Sequence, residues 1–340
     1  MLNSIQFLRA LAAWVVVGHH FVQIFYGGNN VGFVENFLWN YGTLGVDLFF
    51  VISGFVIYHA TVDRVIPPAR FFSLRLIRVI PAYWVFSLLT ALLVYSFQGL
   101  IPFTQLETGF LLKSLAFIPW ANPSGIGYFP LLTPGWTLNF EVAFYSIFGL
   151  TLFFSSRYRV LLVMLGLFLL QSVVPNFGVP WDFYKNKIIF EFVLGIGVAI
   201  IYRRELLKHV KTGSAMLLLL LAVIAIAVKG NGHHYLYVGI PCAFVMIAAL
   251  SQEYFFRKYA IFNTLGNQSY STYLCHVIIL SIAYYFFKTY DLPIGIVVIL
   301  TILGVFMVSV ISFSFIEQLS SRWLKERFFR VRLDPKVTLP

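Results

Sequence analysis

The sequence predicts an all-α, polytopic integral membrane protein of about ten transmembrane helices, and three observations carry that expectation. Hydrophobic residues make up 60% of the 340 positions and charged residues 11%, with a mean hydropathy of +0.85. A soluble domain of this size could not keep so much apolar surface from water, so lipid must cover it. The apolar residues fall in stretches long enough to cross a bilayer, and the basic residues gather on one side of the topology those stretches define.

The first crossing is expected at residues 5–26. It superficially resembles a signal peptide, but it has no clear A-x-A cleavage site and further spans follow at once, so it reads as a retained helix. The others are expected at 37–60, 79–98, 134–154, 160–174, 186–202, 213–229, 235–254, 268–288 and 292–316, the fifth and sixth being short. Residues 106–120 are apolar but too short to cross and run into the turn-rich stretch from Pro119 to Gly125, which suggests an interfacial or re-entrant piece.

Charge tests this count. With the N-terminus inside, nineteen of the 24 Lys and Arg residues, every arginine among them, fall on the cytoplasmic side. Only Lys113, Lys185, Lys187, Lys229 and Lys288 fall outside. That bias supports ten crossings with both termini cytoplasmic. It also accounts for the net charge of +11 without a nucleic-acid partner. Cys242 and Cys275 both lie in expected spans, which argues against a disulfide framework. With no internal repeat and no attached soluble domain, residues 1–318 read as one transmembrane domain and 319–340 as a basic cytoplasmic tail.

Polar residues inside the membrane are expensive, and they mark the candidate site. Arg9 and His20 stand eleven positions apart in the first span, which on an α-helix puts both on one face, roughly 16 Å apart along the axis. Toward the outer side lie His20, Asp47 and Glu141, where an imidazole beside a carboxylate describes a general base; a histidine satisfied by a helix carbonyl describes it equally well. Asp47 shares its segment with Gly42, Gly45, Ser53 and Gly54, whose glycines admit a close neighbour, whether a packed helix or a ligand. Glu141 follows a Pro134-Gly135-Trp136 helix start, with Tyr145 one turn on, where its hydroxyl is in reach of the carboxylate.

On the inner side, Arg75 and Arg78 share a helical face with Arg70 nearby. Such guanidinium groups bind phosphates through forked hydrogen bonds, and they equally anchor a helix against anionic lipid. Tyr270, Tyr273 and His276 follow at three-residue steps, suggesting a hydrogen-bonded polar stripe in the ninth span, with Glu317 at the inner end of the tenth. Cys275 reads as a small buried hydrophobe rather than an acyl-carrying thiol. His233 and His234, beside the outer Gly-Asn-Gly turn, make a poor metal site, and no metal is expected. Charged residues at two depths also describe a substrate path, so a glycan or lipid-linked substrate transporter or flippase is the alternative to an enzyme.

Taken together, these pieces resemble the acyltransferase family 3 membrane proteins, over nearly the whole chain. The resemblance rests on the Arg9 and His20 pair, the run Gly45-Val46-Asp47-Leu48-Phe49-Phe50-Val51-Ile52-Ser53-Gly54-Phe55, and Arg75-x-x-Arg78 followed by Pro81 and Tyr83. It is completed by Trp136-Thr137-Leu138 leading to Glu141, by Ser269-Tyr270 through His276, and by Phe315-Ile316-Glu317. Two departures stand out: Gln318 and Leu319 follow Glu317 where many relatives have a basic residue and proline, and Glu141 lacks the second adjacent acid. The resemblance implies O-acylation of an envelope or exported carbohydrate in a bacterial inner membrane, with acetyl-coenzyme A as cytoplasmic donor. It implies that His20, assisted by Arg9, is central to acyl transfer and that Arg75 and Arg78 lie near the donor. Asp47 or Glu141 is then expected to support the imidazole. Trp136 and Tyr145 are expected on the substrate, and Tyr273, His276, Ser53 and Glu317 in supporting roles. Polysaccharide-assembly proteins are the expected partners.

Overall fold

The computed structural model describes residues 2–28, 32–102, 104–229 and 233–329, and among these every regular element is a helix. In chain order they are α1 (Asn3–Tyr26), α2 (Phe33–Tyr41), α3 (Leu44–Thr61), α4 (Pro68–Ser96), α5 (Thr108–Leu115), α6 (Trp136–Thr151) and α7 (Arg159–Ser172). There follow α8 (Glu191–Arg203), α9 (Thr212–Lys229), α10 (Ile240–Ser251), α11 (Glu253–Phe256), α12 (Ile261–Tyr290), α13 (Ile294–Ser312) and α14 (Leu319–Phe329).

Among the described residues six helices are long and apolar enough to cross a membrane: Asn3–Tyr26, Leu44–Thr61, Pro68–Ser96, Ser156–Phe177, Ile261–Tyr290 and Ile294–Phe329. The remaining expected crossings are helical but shorter. Three of them are lengthened by irregular turns, a 3-10 turn at Thr133–Gly135 before α6, another at Lys187–Phe190 before α8 and a π turn at Tyr235–Gly239 before α10. The second expected crossing is broken into α2 and α3. The break falls where the chain is pressed onto α1, since a Cβ on Gly42 would lie 2.5 Å from the His19 Cβ and one on Gly45 2.3 Å from the Ala12 carbonyl oxygen. The tenth crossing continues through a π turn at Phe313–Gln318 into α14, so the basic segment begins as helix. Arg330, Arg332 and Lys336 of that segment lie outside the described residues, as does the turn 230–232.

The chain divides into two compact units. One comprises Leu2–Pro68 and Ala143–Ser269. Its core packs Ile5 and Leu8 of α1, Val51 and Phe55 of α3, Ala199 of α8 and Met246 of α10. The closest approach is between α3 and α8: a Cβ on Gly54 would stand 2.0 Å from the Phe192 carbonyl oxygen, and one on Gly195 1.9 Å from that of Val51. The glycines of the Asp47 segment therefore serve helix packing. Phe192 extends the contact as a stack, its ring centroid 4.7 Å from Phe50 and 4.2 Å from Phe144.

The other unit comprises Ala69–Val142 and Tyr270–Pro340, with Met1. Hydroxyl groups fasten its helices. Thr272 Oγ1 on α12 bonds Ser309 Oγ on α13 at 2.9 Å, and the Tyr270 hydroxyl donates to the Val79 carbonyl of α4 at 2.8 Å. α5, eight residues long, does not cross. Two of its last carbonyls accept from α4, that of Ser114 from Tyr83 Oη at 2.9 Å and that of Leu115 from Trp84 Nε1 at 2.9 Å.

Candidate active site

In the first unit, α1 is an unbroken helix that carries both Arg9 and His20, each six residues from one end, so the eleven-residue spacing holds at roughly 16 Å along the axis. Arg9 is buried, and its guanidinium donates to Gln6 Oε1 at 3.1 Å. Gln6 in turn donates to Asn267 of α12, and Gly266 lets that helix close directly onto the Gln6 backbone. A chain of side chains from two ends of the sequence thus orients one arginine.

His20 is half-buried, and its Nδ1 lies 3.0 Å from the Val16 carbonyl oxygen. A carbonyl can only accept, so Nδ1 carries a proton, and whenever the ring is neutral Nε2 is its basic nitrogen. The histidine satisfied by a helix carbonyl is thus the arrangement seen, and it places the proton on Nδ1. His19 makes a similar bond, Nδ1 to the Leu38 carbonyl at 3.1 Å, and its ring stands edge-on to His20 at 5.3 Å.

Asp47 is completely buried, and Oδ2 accepts from His233 Nδ1 at 2.8 Å. Glu191, also completely buried, stands against it. Apart from each other, neither Asp47 Oδ1 nor either Glu191 oxygen reaches a hydrogen-bond donor among the described residues. Gly239 closes over the Glu191 carboxyl, where a Cβ would lie 3.0 Å from Oε1. Burial alone would lower the His233 imidazole, but the Asp47 carboxylate outweighs that and holds it above its ordinary value of 6.5. Glu191 and His233 were not singled out from the sequence as partners of Asp47. Glu191 did leave a signal, an acid inside an expected span. His233 left none, because nothing in a loop histidine names its carboxylate. Ser53 lies half-buried on α3, and Tyr145 is buried on α6.

In the second unit, Glu141 is half-buried on α6. The start of that helix is held by the Tyr273 hydroxyl, 3.0 Å from the Pro134 carbonyl and 3.1 Å from Thr137 Oγ1. The polar stripe on α12 thus works as interhelical fastening: Tyr270 holds α4, Tyr273 holds α6, and His276 is completely buried with its ring 5.7 Å from Tyr273. Glu317 accepts from Ser271 Oγ, which also lies 2.7 Å from Ser312 Oγ. Trp136 is half-buried between Phe129 and Phe140, at 6.1 and 6.0 Å. Arg75 and Arg78 are half-buried and Arg70 exposed on α4. Cys242 and Cys275 are free and buried. Among the described residues no group of three or more His, Cys, Asp or Glu side chains is placed to hold a metal ion.

Six helices long and apolar enough to cross a bilayer define the class, an all-helical membrane protein. The chain belongs to the Acyl_transf_3 family, whose acyltransferase domain matches residues 2–316, and it is an acyltransferase. It is 35% identical over 250 residues to the exopolysaccharide production protein ExoZ of Rhizobium meliloti (strain 1021), covering 71% of this chain and 77% of that protein. It is 29% identical over 152 residues to the acyltransferase MdmB of Streptomyces mycarofaciens, covering 44% of this chain and 38% of that protein. No solved structure matches the chain.

Proposed function

We propose that the protein is an O-acyltransferase, most simply an O-acetyltransferase, that moves an acyl group from cytoplasmic acyl-coenzyme A to a hydroxyl of an exopolysaccharide, O-antigen or related envelope glycan. It works in a bacterial inner membrane with both termini in the cytoplasm. The glycan acceptor is supported by the relative named for exopolysaccharide production, and the cytoplasmic donor by the basic bias of the loops on that side.

One observation carries the mechanism: the Val16 carbonyl on His20 Nδ1, which leaves Nε2 as the basic nitrogen. His20 Nε2 takes the proton of the acceptor hydroxyl as its oxygen attacks the thioester carbonyl. The carbon–sulfur bond then breaks, and the imidazolium returns the proton to the departing thiolate. Arg9, nearer the cytoplasmic end of the same helix, is assigned to the donor, and Arg75, Arg78 and Arg70 to its phosphates. Asp47 and Glu141 support the imidazole by charge, with Trp136 and Tyr145 on the acceptor. Glu191 and His233 complete a buried group with Asp47 that can hold and pass a proton.

Transfer of radiolabelled acetyl by the purified protein tests this reading. A folded His20→Ala variant should lose about 10²- to 10⁴-fold in rate, the usual worth of general acid–base catalysis. Full transfer by that variant would remove His20 as the base. Mass spectrometry of envelope glycans from a deletion strain should show one acyl group missing.

A further inference from the structure

The helix that follows the last crossing lies along the basic stretch of α4. Ser321, Lys325 and Phe329 are four residues apart on α14 and so share one face. Two of the three have partners on α4. The Ser321 hydroxyl donates to the Ile77 carbonyl at 3.4 Å, and the Phe329 ring receives the Arg70 guanidinium at 5.6 Å from its centroid. From 321 to 329 the helix therefore runs antiparallel to α4, from Ile77 back to Arg70. Lys325, midway, comes level with residues 73–74 of α4, within a turn of Arg75 and little more than a turn from Arg78, and stands in the field of both.

All three cations are half-buried. Arg75 is turned over the Phe71 ring at 5.5 Å from its centroid. Among the described residues neither Arg78 nor Lys325 has a carboxylate within ion-pair distance. The acid of α14, Glu326, is exposed, about 100° round the helix from Lys325. Like charges gathered in a partly desolvated place repel one another and are stabilised by a multiply charged anion. Two forked guanidinium groups and one ammonium suit phosphate oxygens. Membrane anchoring alone does not ask for this arrangement, because a lysine that served only the lipid surface would be free to extend into it.

We propose that Lys325 completes a phosphate-binding site with Arg75 and Arg78, making α14 part of the donor site rather than a plain basic tail. The identity of the donor rests on the acyl-coenzyme A reading above. The chemistry recognised is a phosphate ester or diphosphate, which an anionic lipid headgroup also offers.

The test is calorimetric binding of coenzyme A, and of phosphate-free pantetheine as control, to the full-length protein in detergent. Lys325→Gln should weaken coenzyme A about tenfold, the worth of one charged hydrogen bond, and leave pantetheine unchanged. Lys325→Arg should keep most of the affinity. If Lys325→Gln binds coenzyme A like the parent while an Arg75→Gln, Arg78→Gln double variant is weakened, Lys325 has no part in the site and the donor reading stands. If the parent itself binds no coenzyme A, the donor reading fails. In that case retention of phosphatidylglycerol in nanodiscs by the parent but not by Lys325→Gln, read by native mass spectrometry, would keep the phosphate site and assign it to a lipid; equal retention would overturn it. Should Lys325→Gln not fold, failure of inorganic pyrophosphate to compete with coenzyme A for the Lys325→Arg protein overturns the proposal.

Discussion

His20 and His233 each bond through Nδ1, and they differ in what accepts that bond. A carbonyl accepts from His20 Nδ1, whereas a buried carboxylate accepts from His233 Nδ1 and favours the cation. Because the folded-state value of His233 is raised, its contribution to stability is fully present below about pH 6.5, its ordinary value, and is lost as the pH rises through the raised value. The parent should therefore lose thermal stability across that window, and His233→Gln, which keeps a donor for Asp47 but cannot titrate, should lose less. Melting curves of both proteins in detergent between pH 5 and 9 check this; parallel curves would remove the ion pair as a stabilising contact. At this scale the sequence was legible in one respect. Arg9, His20 and Asp47 announce themselves, since each is a polar group where lipid should be. Their partners do not, because Gln6 and His233 are ordinary residues until the fold brings them about 3 Å from a charge, and only Glu191 carried a warning of its own.

Helix packing explains what the residues alone leave open. The glycines beside Asp47 admitted two readings, and the carbonyl oxygens of Phe192 and Val51 settle it, filling the space a side chain at Gly54 or Gly195 would need. The obstacles are backbone atoms of the opposing helix, which cannot rotate away. Gly54→Ala and Gly195→Ala should each destabilise the protein by about 1–3 kcal/mol, the usual result of overpacking. They should do so without touching Arg75 or Arg78, so coenzyme A affinity of the folded fraction should hold; the melting midpoint and calorimetry read the two effects separately. An unchanged midpoint would mean that α3 and α8 do not meet as closely as described. Element boundaries were less legible than element identity. A run of apolar residues from 37 to 60 gives no sign of the break between α2 and α3, because hydropathy does not register the pressure of α1 on Gly42 and Gly45. The extension of the last helix into α14 was hidden for the opposite reason, since its polar composition reads as tail until the contacts of Ser321 and Phe329 with α4 are seen.

For the whole molecule, the number of crossings decides whether the donor and acceptor ends of the proposed mechanism are on opposite sides of the membrane. Six helices are long enough by themselves, while α8, at thirteen residues, covers only about 20 Å of a hydrocarbon layer some 30 Å thick. We propose that the short helices cross as well, as the distribution of basic residues favours. If α8 stayed on the outer side, Arg203, Arg204, Lys208 and Lys211 would follow it there, against the bias shown by every other arginine cluster. The 3-10 turn Lys187–Phe190 supplies part of the missing length, and local thinning of the bilayer can supply the rest at a modest cost. Ten crossings make a specific pattern of access. With Cys242 and Cys275 replaced by alanine, single cysteines at the exposed positions Phe177 and Tyr290 should react with an impermeant maleimide added to intact spheroplasts. Cysteines at Val65, Leu206 and Tyr254, also exposed, should react only after the membrane is opened. Labelling of Leu206→Cys from outside, with Val65→Cys protected, would show that one of α4, α6, α7 and α8 fails to cross. Every later helix would then be inverted, and α14 with Lys325 would lie on the side opposite Arg75 and Arg78. The contacts between α14 and α4 oppose that outcome, because Ser321 and Phe329 can meet Ile77 and Arg70 only if both helices end on the same face of the membrane.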